Sequence, residues 1–231
     1  LFGGEPLLPG AQARETIDRF VEGVKQQDRE FALVTNGYLL EEYMDIFKGS
    51  PIREVQVTLD GTKAVHDKRR PLHNGKGSFD AVVRGIDMVL AEGFPVNLPV
   101  VLDRENIGDL PALTAFAKEK GWLDNPHFKT QLGRNYELHF CQEDNKNLFS
   151  RLELYQELYD LIERYPEVLE FHRPAFSVSR FLFENGELPM PLFDSCPGGT
   201  TEWAFDYHGD IYSCTATVGK PDERLGSFYP E

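Results

Sequence analysis

Apolar and polar positions along this chain change their period several times. FALVT (31–35) is a short run of β-favouring residues, and in the LLEEYMDIFKG that follows, Leu40, Tyr43, Met44 and Phe47 recur at helical spacing until Gly49 ends the helix. EVQVTL (54–59) begins a second unit. Beyond a long polar loop, Ser78 stands at a cap position, and Phe79, Val82, Val83, Ile86, Val89 and Leu90 fall on one helical face. VNLPVVL (96–102) leads to a helix that opens near Asp109 and closes at Gly121. HFKTQL (127–132) leads to LFSRLELYQELYDLIERYP, which Pro166 stops. Ahead of the first strand, RETIDRFVEGVKQQ places Ile17, Phe20, Val21 and Val24 in the buried stripe of one more helix. Strand followed by helix, repeated, predicts an α/β protein with a parallel sheet and helices outside it.

The same alternation sets where chemistry belongs. TNG (35–37), DGT (60–62), DREN (103–106) and GRN (133–135) each follow a predicted strand. In parallel α/β sheets the carboxyl ends of the strands form the ligand-binding rim. Turn-forming propensity alone accounts for any one of these loops; four in succession mark a rim but name no reaction.

Composition narrows the field. With 231 residues, 41% of them hydrophobic, the chain can bury a core. No apolar run approaches the roughly 18 residues that span a bilayer, and neither a signal sequence nor membrane association is expected. A net charge of -14 repels a phosphate backbone and argues against nucleic acid as a partner. Three cysteines, Cys141, Cys196 and Cys214, do not make a disulfide scaffold, and a cytoplasmic setting is expected.

FGGEPLL (2–8), LVTNGYLL (33–40) and VQVTLDGTKAVHDKRRPLHNGKGSFDAVVRGI (55–86) resemble, in this order, successive motifs of radical S-adenosylmethionine (radical SAM) enzymes. The resemblance is strongest to members with a SPASM extension, among them anaerobic sulfatase-maturating enzymes and peptide maturases. It runs from Phe2 to about Leu132 and returns near the C-terminus. It implies a partial (β/α)6 TIM-like barrel over 1–165, a connecting segment over 166–195 and the start of a SPASM domain over 196–231. It also assigns roles. Gly3, Gly4 and Glu5 would hold the amino group of S-adenosylmethionine, with Pro6 fixing the exit of the turn; Thr58 and Arg70 would meet its carboxylate. From the residues alone, Arg69 is a rival to Arg70, and Asp60 with His66 forms an acid–base pair or simply an ordered loop.

Near the C-terminus, DSCPGGTTEWAFDYHGDIYSC sets Cys196 and Cys214 in the pattern C-x12-G-x4-C, and WAFDY and DIYS read as a hairpin about Gly209. Taken alone, the two cysteines suit buried hydrophobic positions or half a zinc site. The resemblance instead implies thiolate ligands of an auxiliary iron–sulfur cluster. Cys141 has no motif around it. The C-x-x-x-C-x-x-C loop that holds the radical [4Fe-4S] cluster in the family occurs nowhere in the chain. A fragment, inactive by itself, of a longer enzyme is therefore expected. The intact enzyme would take electrons from a donor, cleave S-adenosylmethionine to a 5′-deoxyadenosyl radical and modify a peptide or protein side chain. The alternatives are a noncatalytic peptide-binding barrel that has lost its cluster and a metal-free lyase using Asp60 and His66. The strand ending in LFGG is expected to lie at a sheet edge, where Leu1 and Phe2 would favour self-association.

Overall fold

The computed structural model describes Leu1 and residues 3–134, 147–172, 185–186, 199 and 203–229. The chain divides into two compact units, Leu1–Pro174 and Ala175–Glu231. No helix among the described residues is long and apolar enough to cross a membrane.

The first unit opens with α1 (Ala11–Gln26) and continues through β1 (Phe31–Thr35), α2 (Leu40–Phe47), β2 (Ile52–Val57), α3 (Lys63–Arg69), α4 (Phe79–Ala91), β3 (Val96–Leu102), α5 (Leu110–Glu119), β4 (Phe128–Arg134), α6 (Arg151–Arg164) and α7 (Val168–Phe171). The four strands form one parallel sheet in the order β1-β2-β3-β4. Spatial order equals chain order, so every crossover steps the same way, as in a sheet curling toward a barrel. Leu33, Val55, Val96 and Phe128 lie in register across it, and the first three are fully buried. Leu1 adds to the β1 edge: its amino group donates to the Ala32 carbonyl at 2.7 Å, and Val34 N–H donates to the Leu1 carbonyl at 2.9 Å. Leu1 thus pairs alongside β1 on the side away from β2; Phe2 lies outside the described residues.

The helices follow the apolar stripes closely. In α2 the buried residues are Leu40, Tyr43, Met44 and Phe47, and in α4 they include all six expected positions. In α1, Ile17 and Val21 are buried, but Phe20 is 36% exposed and sits at the border of the stripe, its ring edge-on to Phe31 at 5.4 Å. The long loop expected before Ser78 contains α3, a short helix whose single buried residue is His66. Ser78 does not cap α4 with its side chain. Asp67 does so instead, Phe79 N–H donating to its Oδ1 at 2.8 Å, while Ser78 Oγ donates to the Arg70 carbonyl at 3.0 Å. A capping box between Ser150 and Glu153 starts α6.

The second unit contains an antiparallel sheet of β5 (Ala204–Phe205), β6 (Asp210–Tyr212) and β7 (Arg224–Ser227), in that order. The expected hairpin is β5 and β6, its turn drawn together by Asp206, whose Oδ1 accepts from both His208 N–H and Asp210 N–H at 2.9 Å.

Candidate functional site

The loops after β1, β2 and β3 lie at the carboxyl ends of the parallel strands, and GGEP is fastened to the first of them. Gly3 and Gly4 have φ of 95° and 56°, and a Cβ on either would meet no protein atom within 4 Å. Glycine is required there by backbone geometry, and the bare backbone is left accessible. Glu5 anchors the turn. Its Oε1 accepts from Leu7 N–H at 2.9 Å and from Thr35 Oγ1 at 2.6 Å, and its Oε2 accepts from Asn36 N–H at 2.6 Å. One carboxylate thus joins GGEP to TNG at the carboxyl end of β1. Pro6 leads directly to Leu7, which is buried in the core.

The loop after β2 is built from charges. Thr58 is partly buried, and its hydroxyl has no hydrogen-bond partner among the described residues. Asp60 is buried; its Oδ2 accepts from Arg70 Nε at 2.7 Å and lies 3.6 Å from Arg69 Nε, and its Oδ1 has no hydrogen-bond partner among the described residues. Arg69 forks onto Asp103 at 3.0 and 2.9 Å. Burial opposes the Arg69 charge, but Asp103 and Asp60 outweigh it and hold the guanidinium above its ordinary pKa. The two arginines differ in how the protein uses them. Arg69 is committed to the protein, whereas Arg70 uses only Nε internally, and no described residue hydrogen-bonds its terminal nitrogens.

Asp60 and His66 do not form an acid–base pair. His66 is buried, and its Nδ1 accepts from the Asp60 backbone N–H at 3.2 Å rather than meeting the carboxylate. Its Nε2 therefore carries the proton and faces Ser78 Oγ at 3.1 Å. Desolvation lowers the His66 pKa, which keeps the ring neutral. Gly61, at φ 154°, lets the chain pass where a Cβ would stand 2.6 Å from Asp109 Oδ2, whose carboxylate holds the Thr62 N–H and hydroxyl. Asn106 ties the neighbouring strand in, donating to the Asp60 and Val101 carbonyls while accepting from Asp103 N–H.

A cleft of about 570 Å³ opens beside these groups, lined by Asp60, Lys68, Arg69, Arg70, Asp103 and Glu105 among others. Sequence reasoning missed Asp103, Arg69 and Asn106 as organisers. DREN was visible as a rim loop, but only the fold shows Asp103 reaching back to Arg69. Among the described residues no group of three or more His, Cys, Asp or Glu could hold a metal ion. Cys214 is a partly exposed free thiol just beyond β6, its Sγ 3.4 Å from Ala216 N; Cys196 and Cys141 lie outside the described residues.

Comparison with known proteins bears on these loops. The Radical SAM superfamily profile matches residues 1–117. Fe-coproporphyrin III synthase of Methanosarcina barkeri is 29% identical over 119 residues, covering 51% of this chain and 28% of that protein. GTP 3′,8-cyclase of Nautilia profundicola is 35% identical over 124 residues, covering 52% of this chain and 36% of that protein. The chain thus spans about a third of the length of these curated relatives. Among solved structures, native anSMEcpe with bound AdoMet, an anaerobic sulfatase-maturating enzyme, shares the fold with a TM-score of 0.68 at 19% identity. That match covers 97% of this chain and 61% of that one.

Proposed function

The chain belongs to the radical SAM superfamily, and from that premise we propose that it is part of an enzyme that reductively cleaves S-adenosylmethionine and modifies a peptide or protein side chain. The observation that carries the cofactor assignment is the tie from Glu5 to Thr35 and Asn36, which sets the bare backbone of Gly3 and Gly4 at the carboxyl end of the sheet, where Thr58 and Arg70 also stand. These groups fit the two charged ends of the cofactor's methionyl part. The Glu5 carboxylate, with three donors already on it and about four acceptor sites, has room to accept from an ammonium group alongside the glycine carbonyls. The Thr58 hydroxyl and the Arg70 fork suit a carboxylate. When bound, S-adenosylmethionine with a reduced [4Fe-4S] cluster supplies a 5′-deoxyadenosyl radical that takes a hydrogen atom from substrate. The chain's own residues hold the two charged ends and keep the opposing charges of Asp60 and Arg69 paired to each other and to Asp103. Residues 1–165 form the barrel portion and 196–231 the start of a SPASM domain, in which Cys196 and Cys214 are ligands of an auxiliary cluster; an electron donor is the second partner.

Support for a peptide substrate is the fold likeness to anSMEcpe structures that contain bound peptides. A second substrate class is favoured by the 35% identity to GTP 3′,8-cyclase. The discriminating experiment is anaerobic incubation of the full-length gene product with reductant, S-adenosylmethionine and either a cysteine-containing peptide or GTP. Release of 5′-deoxyadenosine stimulated by the peptide is expected. Stimulation by GTP alone overturns the peptide assignment, and no release with either overturns the enzymatic one.

A further inference from the structure

We propose that Asp103 and Arg69 are positioning residues for the cofactor's carboxylate, acting through Asp60 on Arg70; the inference rests on the assignment of Arg70 made above. Four charged groups form one line of contacts. Asp103 grips Arg69 with both oxygens, at 3.0 and 2.9 Å. Arg69 Nε stands 3.6 Å from Asp60 Oδ2, and that same oxygen accepts from Arg70 Nε at 2.7 Å. Side-chain exposure is 5% at Asp103, 13% at Arg69 and 4% at Asp60, and reaches 38% at Arg70, the outer end. Two carboxylates balance two guanidiniums, so the inner three groups are largely buried without a net charge among the four, while the more exposed Glu105 stands 3.5 Å from Arg69 Nη1 outside the line. At the outer end, Arg70 keeps both terminal nitrogens free of hydrogen bonds to the described residues, and it lines the cleft. A guanidinium held by Nε presents its terminal nitrogens as a fork to an incoming carboxylate.

Asp103 decides which arginine Asp60 serves. With Asp103 charged, Arg69 is drawn away from Asp60 and the Asp60 oxygen remains available to Arg70. With the Asp103 charge removed, Asp60 becomes the nearest buried anion to Arg69. Arg69 Nε and Asp60 Oδ1, which lack hydrogen-bond partners among the described residues, then close on each other, and the carboxylate turns from Arg70. The loss falls on the carboxylate end of the ligand rather than on the ligand as a whole.

The test is equilibrium binding of S-adenosylmethionine and of its decarboxylated analogue to the full-length gene product. The quantity read is the ratio of the two dissociation constants, which does not depend on the fraction of protein that is folded. Asp103→Asn is expected to lower the preference for S-adenosylmethionine by about tenfold, the weight of one charge-assisted hydrogen bond. Asp103→Glu restores most of it, and Arg69→Lys, which keeps the charge and loses the fork, behaves like Asp103→Asn. Arg70→Met lowers the preference at least as far. If Arg70→Met removes the preference and Asp103→Asn leaves it intact, the positioning role is overturned while the assignment of Arg70 stands. If neither changes it, the assignment of Arg70 fails and takes the positioning role with it.

Discussion

At the scale of single residues, the loop after β2 is held by hydrogen bonds that each need one protonation state. His66 accepts at Nδ1 from the Asp60 N–H, so the ring must be neutral in the native protein, and burial lowers its pKa from the ordinary 6.5 accordingly. His172, also lowered by burial, acts in the same direction. As pH falls through 6.5 the unfolded chain takes up these protons while the native chain does not. Stability is therefore full above that pH and declines below it, by up to about 1.4 kcal/mol per pH unit for each group. Urea unfolding at a series of pH values should show this decline. His66→Asn, which keeps an acceptor for Asp60 N–H but cannot titrate, should be less stable at neutral pH and lose stability less steeply on acidification. An equally steep decline in the variant would assign the protons elsewhere. The sequence reveals the His66–Asp60 neighbourhood but not its sense: six residues separate them in either arrangement, and only the fold places the imidazole on the backbone rather than on the carboxylate.

Among the elements, those carried by apolar spacing were legible and those carried by polar contacts were not. β1 and β3 occupy the runs 31–35 and 96–102 that their residues mark out, because a buried parallel strand needs a continuous apolar stretch. α3 escaped because KAVHDKR has one buried side chain and hence no stripe to detect. The start of α4 was assigned to the right residue and the wrong side chain: Ser78 occupies the cap position, but its hydroxyl serves Arg70 and His66, and Asp67 reaches across from α3 to the Phe79 N–H. The same contact couples the two helices. Asp67→Ala should lower stability by about 1 kcal/mol, the usual cost of a lost cap, whereas Asp67→Asn, which caps about as well, should retain most of it. Chemical denaturation of the two variants measures this; equal losses would mean that charge, not capping, is what Asp67 contributes. The GGEP site shows the same division. Its glycines and acid are visible in the sequence, but the pairing of Glu5 with Thr35 and Asn36 exists only once β1 brings residues thirty positions apart together.

For the molecule as a whole, the parallel sheet sets a tension between shape and charge. Among the described residues, four strands in chain order leave β1 at one edge, where Leu1 supplies two ladder hydrogen bonds. An edge paired over so short a length is a template for another strand. Against this stands a net charge of -14, which repels a second copy of the same chain. The two effects respond differently to salt. Repulsion between surface charges is screened with a Debye length of about 10 Å at 0.1 M and about 3 Å at 1 M, whereas backbone pairing and apolar contact are not weakened by screening. The polypeptide Leu1–Glu231 is therefore expected to be largely monomeric in low salt and to associate as sodium chloride is raised, in a concentration-dependent manner. Light scattering at matched protein concentration across a salt series reads this directly. Replacing Val34, whose N–H faces Leu1, with proline removes a donor from that edge and should blunt the association. A polypeptide that stays monomeric at high salt, or associates equally well with proline at that position, would show that the β1 edge is not where copies meet.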